Sequence, residues 1–144
     1  MESKYNANVV QRLFELVEVA RSSDDLPRAA ILCIGDSEFG RHDERRSSGD
    51  PTAHAVALVI SDAARSLRTR RLQGATIYAT HEPCTMCAGA LVASFVDRVV
   101  FIEAEPGHGA AGSLYNLLAD PRLDHEVDVT IVRRPDEVLP SEPR

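Results

Sequence analysis

The chain has 144 residues, 44% apolar and 26% charged, with 22 acidic against 16 basic side chains and a formal charge of −6. That length supports one core, because two domains of half the size would each bury too little apolar surface to stand alone. General disorder is excluded by the composition, and the acidic balance counts against tight non-specific binding of nucleic acid.

One local basic patch, Arg41, Arg45 and Arg46, stands out within that balance. No apolar run approaches the roughly 20 residues that cross a bilayer, and the N-terminal segment lacks the pattern of an export signal. These features predict a cytoplasmic protein with no membrane partner. Cys33, Cys84 and Cys87 are odd in number and too few for a disulfide scaffold, so reduced thiols open to a metal are expected.

In chain order, the apolar positions from Val9 to Val19 form a helical stripe that Asn6 or Asn8 can cap. Ala29–Ile34 reads as a buried strand ending at Gly35-Asp36, and Arg41 to Asp50 as a polar loop. A helix is predicted from Ala53 to Leu67, a strand over Ala75–Thr80, and a small-residue helix from Cys84 to Ser94. Arg98–Ile102 is a further strand, Ser113 to Leu118 a short helix, and Val127–Val132 the last strand. Strands alternating with helices indicate an α/β sandwich. Residues 1–132 are read as one domain and 133–144 as a polar, flexible tail.

Three residues carry the chemistry: His54 in PTAHAV, and Cys84 and Cys87 in EPCTMC. A Cys-x-x-Cys at a helix start puts both sulfurs on one turn, where free N–H groups and the dipole favour thiolate. One histidine at the head of another helix completes three sides of a tetrahedron, and three ligands with an open fourth position describe a catalytic zinc site. Alone, a Cys-x-x-Cys is equally a redox pair or two small core residues, and a lone histidine at a helix start is often a cap. The joint occurrence of His54, Cys84 and Cys87, within Asp50-Pro-Thr-Ala-His and Glu82-Pro-Cys, selects the metal reading. Cys33, mid-strand in an apolar run, is assigned to the core.

DPTAHA at Asp50–Ala55 and EPCTMCAGAL at Glu82–Leu91 resemble the zinc-dependent nucleobase and nucleoside deaminases of the cytidine deaminase-like superfamily. RVVF at Arg98–Phe101 with GAAGSL at Gly109–Leu114 is similar to bacterial tRNA-specific adenosine deaminases. The resemblance spans about Ala29 to Val129. It implies a three-layer α/β/α sandwich around a five-stranded mixed sheet, and one zinc per subunit held by His54, Cys84 and Cys87. It also implies a homodimer, or a heterodimer. The activity it implies is hydrolytic deamination of an amino-substituted nitrogen heterocycle, in which zinc-activated water attacks an amino-bearing ring carbon. Ala55 N–H would then hold a polar ring atom, and Pro83 and Cys84 would line the leaving group.

The family signature H-x-E…P-C-x-x-C places a proton-shuttling glutamate two residues after the histidine. Here that position is Val56, which carries no exchangeable proton. Three accounts stay open. The chain is a silent zinc-binding partner subunit or ligand-binding module, as in the non-catalytic subunit of the eukaryotic heterodimeric transfer-RNA deaminase, which it resembles in this valine. Alternatively another group replaces the glutamate: His81 and Glu82 beside the cysteines, with Asp43, Glu103 and His108 as further candidates. Or the valine is an introduced substitution.

For the substrate, the loop after RVVF carries basic residues in the transfer-RNA enzymes, whereas here Ala104 and Gly107 are accompanied by Glu103 and Glu105. With the charge of −6 and only 5% aromatic residues, of which Tyr115 and Phe101 are the nearest stacking candidates, the sequence disfavours transfer RNA as a partner. A free nucleobase, nucleoside or analogue is the expected small-molecule substrate.

Overall fold

The computed structural model describes residues 5–132; the predicted tail, 133–144, lies outside them. Asn6 caps the first helix, α1 (Ala7–Ser22), its side chain accepting from the Asn8 N–H at 2.9 Å. The predicted apolar stripe is its inner face, with Val9, Val10, Leu13, Val17 and Ala20 all buried. Strand β1 (Ala29–Ile34) follows, and Gly35 and Asp36 turn the chain straight into β2 (Ser37–His42). Gly35 takes φ 56 in this two-residue hairpin turn, a left-handed conformation that glycine adopts without steric cost.

That second strand corrects the expectation of a polar loop beginning at Arg41. It is an edge strand whose residues alternate between exposed and half-buried, and it pairs with β1 from Ile34↔Ser37 to Ala29↔His42. One short turn, α2 (Arg45–Ser48), precedes α3 (Ala55–Leu67). Then come β3 (Thr76–His81), α4 (Thr85–Ala93), β4 (Arg98–Glu103) and β5 (Asp128–Ile131). The helix predicted over Ser113–Leu118 is instead a bridge between Ala111 and Asn116 followed by a single 3-10 turn at Leu117–Ala119.

The sheet order is β2-β1-β3-β4-β5, antiparallel on the β2-β1-β3 side and parallel across β3-β4-β5, a mixed five-stranded sheet as the resemblance implies. Strand periodicity divides the core into two layers. Ala30, Leu32, Ile77, Ala79, Val99 and Phe101 pack with Val59, Ala63, Ala88 and Leu91 of α3 and α4. On the opposite face Ala29, Ile31, Tyr78 and Val100 pack beneath Val10, Leu13 and Val17 of α1. The result is a three-layer α/β/α sandwich. Each fully buried leucine or valine in these layers contributes about 1.5–3 kcal/mol. Cys33 packs with the α1 layer, away from the other two cysteines.

The parallel half of the sheet positions the site. At the C-terminal end of β3, Glu82 N–H donates to the Glu103 carbonyl at 2.8 Å, and Pro83 and Cys84 then swing into α4. The N-terminus of α3 packs beside that of α4 within the same core layer, so two helix starts converge on one point.

Candidate metal centre

His54 and Cys84 are the N-cap residues of α3 and α4, both with extended backbone (ψ 143 and ψ 179). An N-cap side chain ordinarily accepts a hydrogen bond from its own helix. Neither does so here. His54 Nδ1 lies instead 3.6 Å from Cys84 Sγ and 3.6 Å from Cys87 Sγ, the latter one turn into α4. The three ligand atoms all lie within 4.8 Å of one another.

This spacing suits zinc. With Zn–S near 2.3 Å and Zn–N near 2.05 Å at a tetrahedral angle, nitrogen and sulfur ligands stand about 3.6 Å apart. Two sulfurs and one imidazole are also the donors that zinc prefers, and the set leaves one tetrahedral corner for another ligand. Electrostatically the two thiols compete for one proton. The Cys84 thiol is drawn down to about 3 by its hydrogen bonds with Cys87 and His54, against the opposing effect of burial. Cys87 is pushed up by that same hydrogen bond and by burial. A divalent cation removes the competition by taking both sulfurs as thiolates.

His54, Cys84 and Cys87 form part of the wall of a cavity of about 340 Å³. Ala55, Val56 and Pro83 line it too, so the position of the family glutamate is filled by a buried isopropyl group facing the same space. The candidate substitutes fall into different settings. Glu82 is buried and its carboxylate is fully engaged: it accepts from the N–H groups of Glu105, Ala111 and Ser113 and from the Ser113 hydroxyl. Asp43, also buried, accepts from the backbone N–H of Arg45 at 3.0 Å and from its Nε at 2.8 Å. His81 lines the cavity and its Nδ1 lies 2.9 Å from the Thr80 hydroxyl. His108, an exposed residue, also lines the cavity, whereas Glu103 does not.

Among the lining residues that carry no signal in the sequence, two are polar, Arg28 and Thr80. Arg28 precedes β1 in a stretch with no motif; it lines the cavity and pairs with Glu105 at 2.7 Å. Thr80 is buried between the Ala29 N–H, 3.1 Å away, and the Ala29 carbonyl, 3.4 Å away, which places it to orient His81. Of the proposed stacking residues, Phe101 is core and Tyr115 is exposed.

The fold and the three-ligand site together are those of the zinc-dependent deaminase class, and comparison with known proteins agrees. Residues 5–103 match the cytidine and deoxycytidylate deaminase zinc-binding region, and the chain belongs to that family. It is 43% identical over 111 residues to the tRNA-specific adenosine deaminase of Bacillus subtilis, covering 76% of this chain and 69% of the relative. It is 31% identical over 132 residues to the corresponding enzyme of Haemophilus influenzae, covering 90% of this chain and 76% of the relative. A solved structure from a study of A-to-I editing by tRNA:A34 deaminases superposes with a TM-score of 0.82 at 30% identity, covering 88% of this chain and 98% of that one. The guanine deaminase of Nitrosomonas europaea, at 23% identity and a TM-score of 0.68 over 84% of this chain and 73% of that one, shares the fold.

These relatives correct the expectation that disfavours transfer RNA: curated proteins that this chain matches at 30% identity or more are tRNA-specific adenosine deaminases. Net charge is the wrong measure for that question. A sum over the whole surface carries no information about where the arginines lie, and it is local potential that a phosphate meets.

Proposed function

We propose that this chain is a hydrolytic deaminase that converts an amino-bearing base to its oxo form with release of ammonia, and that the base is an adenine presented by a transfer RNA. The observation that carries the chemistry is the pair of 3.6 Å distances from His54 Nδ1 to the two sulfurs, on the wall of a base-sized cavity. The RNA substrate is supported by the relatives. A cavity of about 340 Å³ suits a single base, and a base in RNA enters such a site by leaving its stack.

His54, Cys84 and Cys87 would hold the zinc. When bound, zinc lowers the pKa of a coordinated water to about 7 and so supplies a nucleophile at neutral pH. The N–H groups of the first turns of α3 and α4, Ala55 among them, point their positive ends into the cavity and favour negative charge developing on the substrate ring. Pro83 and Cys84 border the leaving amine.

Overall the reaction adds water, breaks the ring-carbon–amine bond and moves protons to the departing nitrogen. Val56 can do none of this transfer, and the carboxylate of Glu82 is committed to the loop beyond it. His81 is the residue we assign to it. The Thr80 hydroxyl donates to the Ala29 carbonyl and accepts from the Ala29 N–H. His81 Nδ1 lies 2.9 Å from that hydroxyl, so the Ala29–Thr80 pair holds the imidazole on the cavity wall.

The test is inosine and ammonia production by the zinc-loaded chain on a transfer RNA, adenosine, adenine and guanine. Turnover of the RNA is expected, abolished in His54→Ala and reduced by about 10²–10⁴-fold in His81→Ala. A zinc-replete native chain that is silent on every substrate would overturn the reading.

A further inference from the structure

The formal charge of −6 hides an uneven surface. Between Ala63 and Gly74 the chain holds Arg65, Arg68, Arg70 and Arg71 and no acidic residue. All four are exposed and line one surface depression of about 490 Å³ at the C-terminal end of α3. Among the described residues, none of the four is paired with a carboxylate. The patch expected from sequence behaves differently: Arg41 is bound by Asp62 and Glu44, and Arg45 by Asp43. A helix C-terminus favours a cation in its last turn, which accounts for Arg65. It does not account for Arg70 and Arg71, which lie beyond the helix end.

A second observation extends this face. Leu72 N–H donates to the Ser94 carbonyl at 2.7 Å and ties the arginine loop to the turn after α4. There the Arg71 guanidinium lies over the Phe95 ring, 4.5 Å from its centroid, and Phe95 in turn packs on His125 at 5.2 Å. Phe95 holds φ 58, a conformation that costs a bulky side chain about 1–3 kcal/mol and persists where the surroundings enforce it. The face therefore combines unpaired guanidinium groups with a half-exposed cation–aromatic stack. Guanidinium groups without carboxylate partners hold the phosphates of nucleic acid, and the stack on Phe95 fixes one of them on this face.

We infer that the Arg65–Arg71 segment with Phe95 and His125 is a docking surface for the phosphate backbone of the substrate RNA, separate from the site that receives the base. The inference rests on the RNA substrate proposed above. The surface flanks the N-terminal end of β3 while the cavity lies at its C-terminal end, so one strand length, about 20 Å, separates them. It acts on affinity and KM, and leaves the chemical step alone.

The experiment compares the native full-length chain with Arg65→Gln/Arg68→Gln/Arg70→Gln/Arg71→Gln, with the milder R68Q/R70Q, and with the charge-retaining R68K/R70K. All are loaded with zinc and checked for circular dichroism and metal content. Transfer-RNA binding is measured between about 50 and 200 mM salt, alongside deamination of that RNA and of free adenosine. The fourfold variant should bind RNA about 10- to 100-fold more weakly at the low-salt end, with a log–log salt slope reduced by about 3. R68Q/R70Q should lose about half that slope and R68K/R70K almost none. KM for RNA should rise while its kcat, and turnover of any free nucleoside, stay unchanged.

Native affinity and slope in both glutamine variants overturn the docking surface and leave the RNA substrate standing. A native chain that deaminates free bases but binds no RNA overturns both, and the variants are not needed to see it. Tighter arginine-dependent binding to phosphatidylserine vesicles than to RNA overturns the inference in favour of a lipid surface.

Discussion

Gly109 lies against the buried carboxylate of Glu82 so closely that a Cβ at this position would overlap its carbon and both its oxygens. The loop after β4 is thereby wrapped around one anion, with Glu105, Ala111 and Ser113 all donating to it. Gly109→Ala should destabilise the protein by about 1–3 kcal/mol, the usual cost of overpacking. Glu82→Ala should cost more, because each buried donor left without an acceptor costs about 1–3 kcal/mol. Urea unfolding of the zinc-loaded variants measures both. A native midpoint in Gly109→Ala would contradict the packing described.

The same anion predicts an acid dependence. Burial opposes ionisation of Glu82, but the hydrogen bonds from Ser113, Glu105 and Ala111 outweigh it and hold its pKa below the ordinary value. Asp25 behaves alike, its burial outweighed by Ser47, whose N–H donates to it at 2.9 Å. A carboxylate depressed on folding contributes stability that is complete above its unfolded pKa, about 4 for these groups, and lost as pH falls through the folded value. Unfolding free energy should thus be flat from about pH 8 to pH 5.5 and drop below about pH 4. Glu82→Gln should be less stable at pH 7 and lose less on acidification, which separates this contribution from release of metal by protonated ligands.

Much of this architecture is legible in the sequence because it is written in local periodicity. The stripe from Val9 to Val17 and the apolar runs at Ala29, Ala75 and Arg98 declare their elements unaided, and His54, Cys84 and Cys87 declare the metal site by residue type and spacing. Strand β2 is hidden because SEFGRH is an edge strand, with polar residues on both faces and a core contact from Phe39. The helix predicted at Ser113–Leu118 fails for a non-local reason: Glu82, some 30 residues earlier, takes the N–H groups of Ala111 and Ser113 and holds the chain in a loop. Charge is the least legible property. Arg41 appears in sequence as part of a basic patch but is neutralised by Asp62 from the middle of α3. The segment RSLRTRR looks like an ordinary solvated helix end until the fold shows that, among the described residues, none of its arginines is paired with a carboxylate.

Metal content separates the thiols. The native chain should hold about one zinc, and His54→Ala, Cys84→Ser and Cys87→Ser much less, measured by elemental analysis after dialysis. Cys33→Ser should keep the native content, because Cys33 packs with the α1 layer. A chelator should lower the unfolding midpoint of the native chain and of Cys33→Ser while leaving the three ligand variants almost unmoved, since binding to the folded state alone stabilises it. Equal zinc in native and Cys87→Ser protein would remove Cys87 from the ligand set.

Val56 offers the most direct test of proton handling. It occupies the second position of α3, buried on the cavity wall two residues beyond His54, where the helix N-terminus favours an anion. Val56→Glu restores the H-x-E pattern and supplies a carboxylate for general acid–base transfer, so it should recover the roughly 10²–10⁴-fold that His81→Ala loses while adding little in the native background. Stability should fall, because a carboxylate replaces a buried apolar side chain. If His81 performs the transfer in the native protein, His81→Ala should be severe in the native background and mild beside Val56→Glu, a non-additivity that a double-mutant cycle resolves. Strict additivity of the two substitutions would show that His81 and the glutamate position do not share the task.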